Sequence, residues 1–453
     1  MGEMAVPADA LYGASTQRAV LNFPISGRPM PAAFIHALAL VKRASAETNA
    51  ELSMVEPDVA AAIVAAADEV AEGQHDDAFP IDIYQTGSGT STNMNMNEVI
   101  ARLAGQRLGR PVHPNDHVNA AQSSNDVIPT AMQLAAAIEL SRTLLPALER
   151  LERSLAVKAV EFDAIVKTGR THLQDATPIR LGQEFAGYAG QLAASRRRAR
   201  TALDELLSVP LGGTAVGTGI NMPAGAAART CARLATLTGL AVRETDSHFH
   251  AQATLDTVIA AHGGLKAIAL SLWKIGSDVR LMGMGPRAGI AELALPETQP
   301  GSSIMPGKVN PVMVESLTMV VARVVGNDAT IGFSQTGSLL ELNVMMPVAA
   351  AALLESIELL GAVAENFATR TIDGLTATER GPRLVEQGLM LATALAPVIG
   401  YDAATKLAKE ALASGRTIRE LALERGIPAA DLDILLDPDR MTRPGSEGGP
   451  AGG

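Results

Sequence analysis

Three features of this chain predict a mainly α-helical protein. Alanine, leucine and valine dominate an apolar fraction of 47%, while aromatics make up only 3%, a balance that suits packed helices better than aromatic-rich strands. Several long stretches repeat their apolar residues with the helical period. At 453 residues the chain is too long for one small core, so two or three domains or one extended helical body are expected.

Each element can be justified in order. Residues 1–30 are rich in turn formers. Helical patterns follow at 31–53 and 57–72, the second with Pro57 near its start and Gly73 at its end. A polar loop, "QTGSGTSTNMNMN" (85–97), leads into another helical run. The stretch "VHPNDHVNAAQSSNDVIPT" (112–130) carries many neutral donors and acceptors and few charges. Long helices then occupy 130–165, 182–208, 226–239, 250–282, 311–332 and 343–370, enough to make a bundle. Within 187–209, "GYAGQLAASRRRARTALDELLSV", one face is apolar and the other strongly charged. Three segments (130–145, 257–272 and 343–364) are apolar around most of their circumference and need burial on several sides, from which contacts between subunits are expected, with an intrachain bundle around a large core as the alternative. Past 375 the elements shorten and gain charge, as in "YDAATKLAKEALASGRTIRELALERG" (401–426). The domains expected are 1–121, a central helical bundle at 122–375 and a small helical domain at 376–453. The tail "TRPGSEGGPAGG" is expected to be disordered. No internal repeat is present.

Bulk charge and targeting signals narrow the function. A net charge of −11 with no basic tract argues against nucleic acid and anionic membrane as partners. The single cysteine, Cys231, excludes an internal disulfide framework, suits a reducing compartment and reads as a small buried hydrophobe. The start "MGEMAVPADALYG" lacks the basic and apolar regions of a signal peptide. The stretch "VMMPVAAAALL" (344–354) is too short to span a bilayer and runs into Glu355 and Glu358. A soluble, cytoplasmic protein is expected.

The eight histidines are scattered, and no metal-ligand spacing, Walker loop or dinucleotide fingerprint occurs. No metal or organic cofactor is expected. The glycine-rich pieces "GSGT" (87–90) and "GGTAVGTG" (212–219) are weak signals, equally at home in ordinary turns. Four polar segments stand out instead: 85–97, 112–126, "GRTHLQDATP" (169–178) and "GSSIMPGKVNP" (301–311). Helix caps and turns account for many of their residues. Caps do not account for a histidine, a lysine and many neutral donors gathered with few carboxylates. Such a lining suits a small polyanion, oriented by hydroxyls and amides and neutralised by one or two cations.

The last of these segments resembles the signature loop of the fumarase/aspartase superfamily. Across the chain, "DALYGASTQRAVLNFPIS", "TGSGTSTNMNMNEVI", "VHPNDHVNAAQSSNDVIPTAM", "GRTHLQDATPIRLGQEF", "LGGTAVGTGIN", "GPRAGIAELALPETQPGSSIMPGKVNP" and "IGYDAATKLAKEAL" are similar to class II fumarase, in that family's order. The resemblance implies a three-domain, all-α core, a homotetramer built on a shared helix bundle, and active sites drawn from three subunits. It implies no cofactor. The reaction implied is the reversible anti addition of water to fumarate, giving L-malate, a step of the citric acid cycle.

Residue by residue, the resemblance implies the following roles. Ser302 matches the base, acting as an oxyanion held by loop amides and the nearby lysine, and Ser303 supports the loop. Lys308 and Asn310 match the contacts to the carboxylate that becomes a dianion when the neighbouring carbon loses its proton. By analogy with oxyanion-hole deletions each contributes about 3–4 kcal/mol. His172 binds the other carboxylate or handles the departing water, and Glu315 orients that histidine. Ser88, Thr90, Ser123, Ser124, Asn125 and Thr171 match donors to the carboxylates and the hydroxyl. His113, Asn115 and Asp116 match a second dicarboxylate site, with helix capping by "PND" as an alternative reading. Members usually carry some ten or more residues before "MGEM", so reduced order around 1–10 is expected, with activity retained.

Two alternatives stay open at the level of sequence. Aspartate ammonia-lyase shares the fold, loop and carbanion step. "TGSGTS", "QSSND" and "LGGTAVGTG" are spelled as in fumarases, whereas "GSLLELNVMMP" (337–347) and "LDPDRMTRPG" are closer to aspartases. The first set belongs to segments expected to touch substrate and outweighs the second. A crystallin-like relative that keeps the fold without activity is the non-enzymatic alternative, and the presence of every matched residue argues against it.

Overall fold

The computed structural model describes residues 2–444. Helix accounts for 64% of it, as composition and periodicity predict. Among the described residues the strands are short and pair into four two-stranded sheets.

The chain forms two compact units. The first gathers Met1–Ala147, Ser195–Leu270 and Met319–Ala362; the second gathers Leu148–Ala194, Ser271–Thr318 and Val363–Gly453. In the first unit helix Ala32–Glu51 is the hub, and helices Pro57–Ala71, Ser124–Glu139 and Ala226–Thr238 pack on it. Phe34, Ile35, Leu38 and Val41 point from it into the core and are at most 2% exposed. Apolar burial of this kind, roughly 1.5–3 kcal/mol for each large side chain, is the main force holding the helices together. The second unit contains a separate apolar cluster, Val385, Leu391, Leu395, Leu407, Leu421, Leu432 and Leu436, formed by the short C-terminal helices.

Predicted helix positions hold to within a few residues at Leu181–Leu206, Ala226–Thr238, Val312–Ser334 and Met346–Phe367. Four local expectations fail for physical reasons. Residues 90–97 are not loop but the start of helix Thr90–Leu108. Their asparagines look like loop residues, yet Asn93, Asn95 and Asn97 are buried and hydrogen-bonded inward. The helix expected from 130 begins at Ser124, because Ser123 and Asp126 cap it. Within the turn-rich stretch 1–30, Ala14–Asn22 is helical. The Glu98 carboxylate accepts the N–H groups of Gly13, Ser15 and Thr16 at 2.9–3.1 Å, a cap some eighty residues away in sequence. Finally, 169–178 is mostly a β-hairpin of β1 (Val166–Thr171) and β2 (Gln174–Arg180).

Burial also corrects the reading of the over-apolar helices. In Ser124–Glu139 every residue from Asp126 to Ile138 is already buried by this chain, so no second subunit is needed there. "VMMPVAAAALL" belongs to a helix that runs on to Ile372. By length and composition alone Asp256–Met282 and Met346–Ile372 are long and apolar enough to cross a bilayer, but 72% of the apolar window of the second is buried inside the protein, against 44% in the first. Helix Asp256–Met282 leaves Leu270 and Trp273 exposed. Residues 445–453, most of the tail expected to be disordered, lie outside the described residues.

Candidate active site

The matched residues fall into two groups. Ser88, Thr90, Ser123, Ser124 and Asn125 belong to the first unit, and Thr171, His172, Ser302, Ser303, Lys308, Asn310 and Glu315 to the second.

In the first unit the polar segments meet around the start of helix Ser124–Glu139. Ser123 Oγ accepts the Asn125 N–H at 3.2 Å, while the Ser123 N–H donates to Asp126 Oδ1 at 3.0 Å. Asp126 is fully buried, and its other oxygen accepts the N–H groups of Gly212 and Thr214 at 3.1 and 3.0 Å. Asn125 Nδ2 donates to Ala215 O at 2.7 Å. The glycine-rich turn 212–219, a weak signal in the sequence, is therefore pinned to "QSSND". Burial pushes the Asp126 carboxyl above its ordinary range, opposed by these three N–H groups and by Lys42. Pro129 has no N–H to give to the Asn125 carbonyl, which loses its helical partner.

The "TGSGT" turn is fixed nearby. Ser88 Oγ and Thr90 Oγ1 share a hydrogen bond of 2.8 Å. A Cβ on Gly87 would lie 1.7 Å from the Val344 carbonyl oxygen, and Met346 donates its N–H to Gly87 O at 3.0 Å. Only glycine admits this approach, and it joins "ELNVMMP" to the turn. Behind these segments lies a layer that sequence reasoning did not identify: Lys42, Asn93, Asn97 and Asn119. Its one legible sign was Lys42 itself, standing on the apolar stripe of its helix four residues after Leu38.

In the second unit His172 and Leu173 are the two residues at the hairpin tip, with φ of 54° and 59°. Left-handed backbone at both positions is the pattern of tight two-residue hairpin turns, which favour Asn-Gly. His-Leu occupies it here at a cost, and both side chains are exposed. The hairpin is anchored below its tip: Arg170 donates to Glu292 Oε1 at 2.9 Å, and buried Lys167 lies 3.1 Å from Glu184 and 3.2 Å from Glu292. Glu292 belongs to the segment leading into the 301–311 loop.

That loop is held by its own backbone. Ser302 Oγ accepts the N–H groups of Met305 at 2.9 Å and Ile304 at 3.2 Å. Asn310 Nδ2 donates to Gly301 O at 2.5 Å, closing the base of the loop. A Cβ on Gly301 would lie 2.0 Å from the Lys308 carbonyl, and Gly307 turns with φ of 74°. Residues 303–309 are exposed. Among the described residues no hydrogen bond or ion pair engages the Lys308 ammonium or the Glu315 carboxylate, and none joins Glu315 to His172.

His113 takes up the capping alternative. Its Nδ1 accepts the Asp116 N–H at 3.0 Å and lies 3.1 Å from Asp116 Oδ2, at the head of the turn Pro114–Val118. Asn115 is exposed beside them. Among the described residues no group of three or more His, Cys, Asp or Glu side chains is placed to hold a metal ion.

The chain is similar to known proteins over nearly its whole length. Residues 2–326 match a family model described as lyase, and 391–443 match one described as the C-terminus of fumarase C. The class II fumarate hydratase of Methylorubrum extorquens is 49% identical over 98% of this chain and 96% of its own length. That of Mycobacterium tuberculosis is 50% identical over 96% and 94%. The crystal structure of recombinant class II fumarase from Schistosoma mansoni superposes with a TM-score of 0.96 at 39% identity, covering 98% of both chains.

Proposed function

We propose a mechanism and an assembly for this chain, which belongs to the class II fumarase family of lyases acting on small dicarboxylates. The reaction is the reversible hydration of fumarate to L-malate. Relatives at about half identity over nearly the whole chain carry that name, which favours water over ammonia as the leaving group and sets aside the aspartase reading.

In the direction of dehydration, Ser302 as an alkoxide takes the proton from the malate carbon beside one carboxylate. The electron pair left behind moves into that carboxylate, giving an aci-carboxylate with two negative charges. Lys308 and the second N–H of Asn310 meet that charge as it forms, which is where an enzyme gains rate rather than mere affinity. The C–O bond at the adjacent carbon then breaks, the hydroxyl leaves as water with a proton delivered through His172, and fumarate remains. Ser88, Thr90, Ser123, Ser124, Asn125 and Thr171 hold the two carboxylates and the hydroxyl. The carrying observation is the pair of N–H bonds into Ser302 Oγ, since donors aimed at an oxygen favour its anionic form.

The assembly is a homotetramer whose sites draw on different subunits. Exposed Leu270 and Trp273 on Asp256–Met282, and Met319 and Phe333 on Val312–Ser334, support burial against other copies. Among the described residues the side chains of Lys308, Glu315 and His172 have no hydrogen-bond or ion-pair partner, as contributors to a shared site would. Division into three domains at 121 and 375 belongs to the same reading, supported by the separate C-terminal cluster. So do a cytoplasmic location, in keeping with the single buried thiol, and a second dicarboxylate site at His113, Asn115 and Asp116. The test is a direct assay: fumarate absorbance should rise when purified protein receives L-malate and stay flat with L-aspartate. Turnover of aspartate alone would overturn the reading.

A further inference from the structure

Helix Ala32–Glu51 carries a lysine on the stripe that faces the core. Lys42 is not exposed at all. A buried amine or ammonium without acceptors is costly, and Lys42 has two. Its Nζ donates to Asn119 Oδ1 at 2.9 Å and to Gln122 Oε1 at 3.0 Å. These bonds fix more than the lysine.

Facing two oxygens, Lys42 donates to both, whether as an ammonium with three N–H groups or as an amine with two. Asn119 must therefore turn its oxygen, not its nitrogen, toward Lys42, and its Nδ2 donates instead to Gln122 O at 3.2 Å. The same Asn119 oxygen lies 3.2 Å from the side-chain nitrogens of both Asn93 and Asn97. With an acceptor facing them, these two asparagines must present N–H groups. The consequence is visible: the oxygens of Asn93 and Asn97 are buried with no partner. Left to themselves, amides with stranded oxygens would flip. Asn93 Nδ2 also reaches Ser124 Oγ at 3.2 Å. Because Ser124 accepts from Asn93, its own proton is directed elsewhere.

We infer that Lys42 is a positioning residue: a donor to two amide oxygens at the inner end of the chain Lys42–Asn119–Asn93–Ser124 that sets every hydrogen bond in one direction, so that Ser124 accepts from within and donates its proton outward to a substrate carboxylate. The inference rests on the reading of Ser124 as a substrate ligand.

A double-mutant cycle with L-malate as substrate tests it, using Lys42→Met, Ser124→Ala and the double variant. Lys42→Met should raise KM about tenfold, the scale of one hydrogen bond to an anion, with kcat changed far less. In the Ser124→Ala background Lys42→Met should have almost no further effect on KM, because the hydroxyl it directs is gone. An equal KM increase in both backgrounds would overturn the inference. An unchanged KM in Ser124→Ala alone would instead overturn the reading of Ser124, and the inference with it. If Lys42→Met fails to fold by circular dichroism and gel filtration, Asn93→Leu takes its place in the cycle. It keeps both Lys42 bonds and removes the Asn93 link between Asn119 and Ser124, and the same two outcomes decide.

Discussion

Two segments rich in serine and asparagine, 122–126 and 301–310, live in opposite surroundings. The first opens a helix in which every residue from Asp126 to Ile138 is buried, and its side chains are tied to the 212–219 turn and to the layer around Lys42. The second is exposed from 303 to 309 and has its described hydrogen bonds within itself and the turn that follows. The difference separates two tasks. Groups that bind and orient a dicarboxylate gain from being fixed before it arrives. The proposed base must lose water when substrate is present and admit substrate when it is not, which suits a segment with few buried contacts.

The sharpest way to break this contrast is to remove the proposed base. Ser302→Ala should lower kcat by about 10³-fold, within the range of general base catalysis, while dicarboxylate binding measured by calorimetry stays close to wild type. Ser303→Ala should cost far less. The reverse order would move the base to Ser303. Lys308→Met should lower kcat/KM by about 10²–10³-fold, the cost of deleting one donor to a developing anion, and steady-state kinetics should place the loss in both kcat and KM. A loss confined to KM would mean that the lysine binds substrate and transition state equally.

Changes on the fixed side should register as stability before chemistry. In Gly87→Ala the added methyl meets the Val344 carbonyl at 1.7 Å. The backbone must move, and denaturant unfolding should show a loss of about 3 kcal/mol, at the upper end for overpacking. Wild-type stability in Gly87→Ala would mean that the turn yields freely and is not fixed. A smaller effect concerns pH. Burial lowers Lys42 from 10.5 to about 7, against the pull of Asp126. Between those values the unfolded chain holds a proton that the folded chain has released, so this group makes stability rise with pH across the window. Lys42→Met should flatten that rise in unfolding curves recorded at neutral and alkaline pH.

How much of this was legible depended on the distance over which the cause acts. Pro300, Gly301, Pro306, Gly307 and Pro311 made the 301–311 loop readable, because their constraints are local. The main helices were readable from their period. The hairpin bearing His172 was not, since His-Leu gives no turn signal and the left-handed backbone is imposed by strand pairing. Helix Thr90–Leu108 was misread at its start because polar side chains there are satisfied inside the fold, by partners such as Asn119 that lie more than twenty residues away. Ser123 and Asp126 form a helix cap where the sequence reading placed the start of the helix only at 130. That the same few residues also anchor 212–219 could not be seen without the fold. Resemblance supplied the matched residues; it did not supply the layer behind them.

The central claim is that the open segment of one chain completes a site with groups from another. Ser302→Ala and His172→Ala proteins, each nearly inactive alone, can be mixed in equal amounts, dissociated and reassembled. If the two residues of one site come from different subunits, about a quarter of sites in the mixture should hold both intact residues, as independent subunit choice in a symmetric oligomer requires, and malate turnover should return to that fraction of wild type. Mixtures that stay as inactive as their parents, after subunit exchange has been verified by mass, would contradict it.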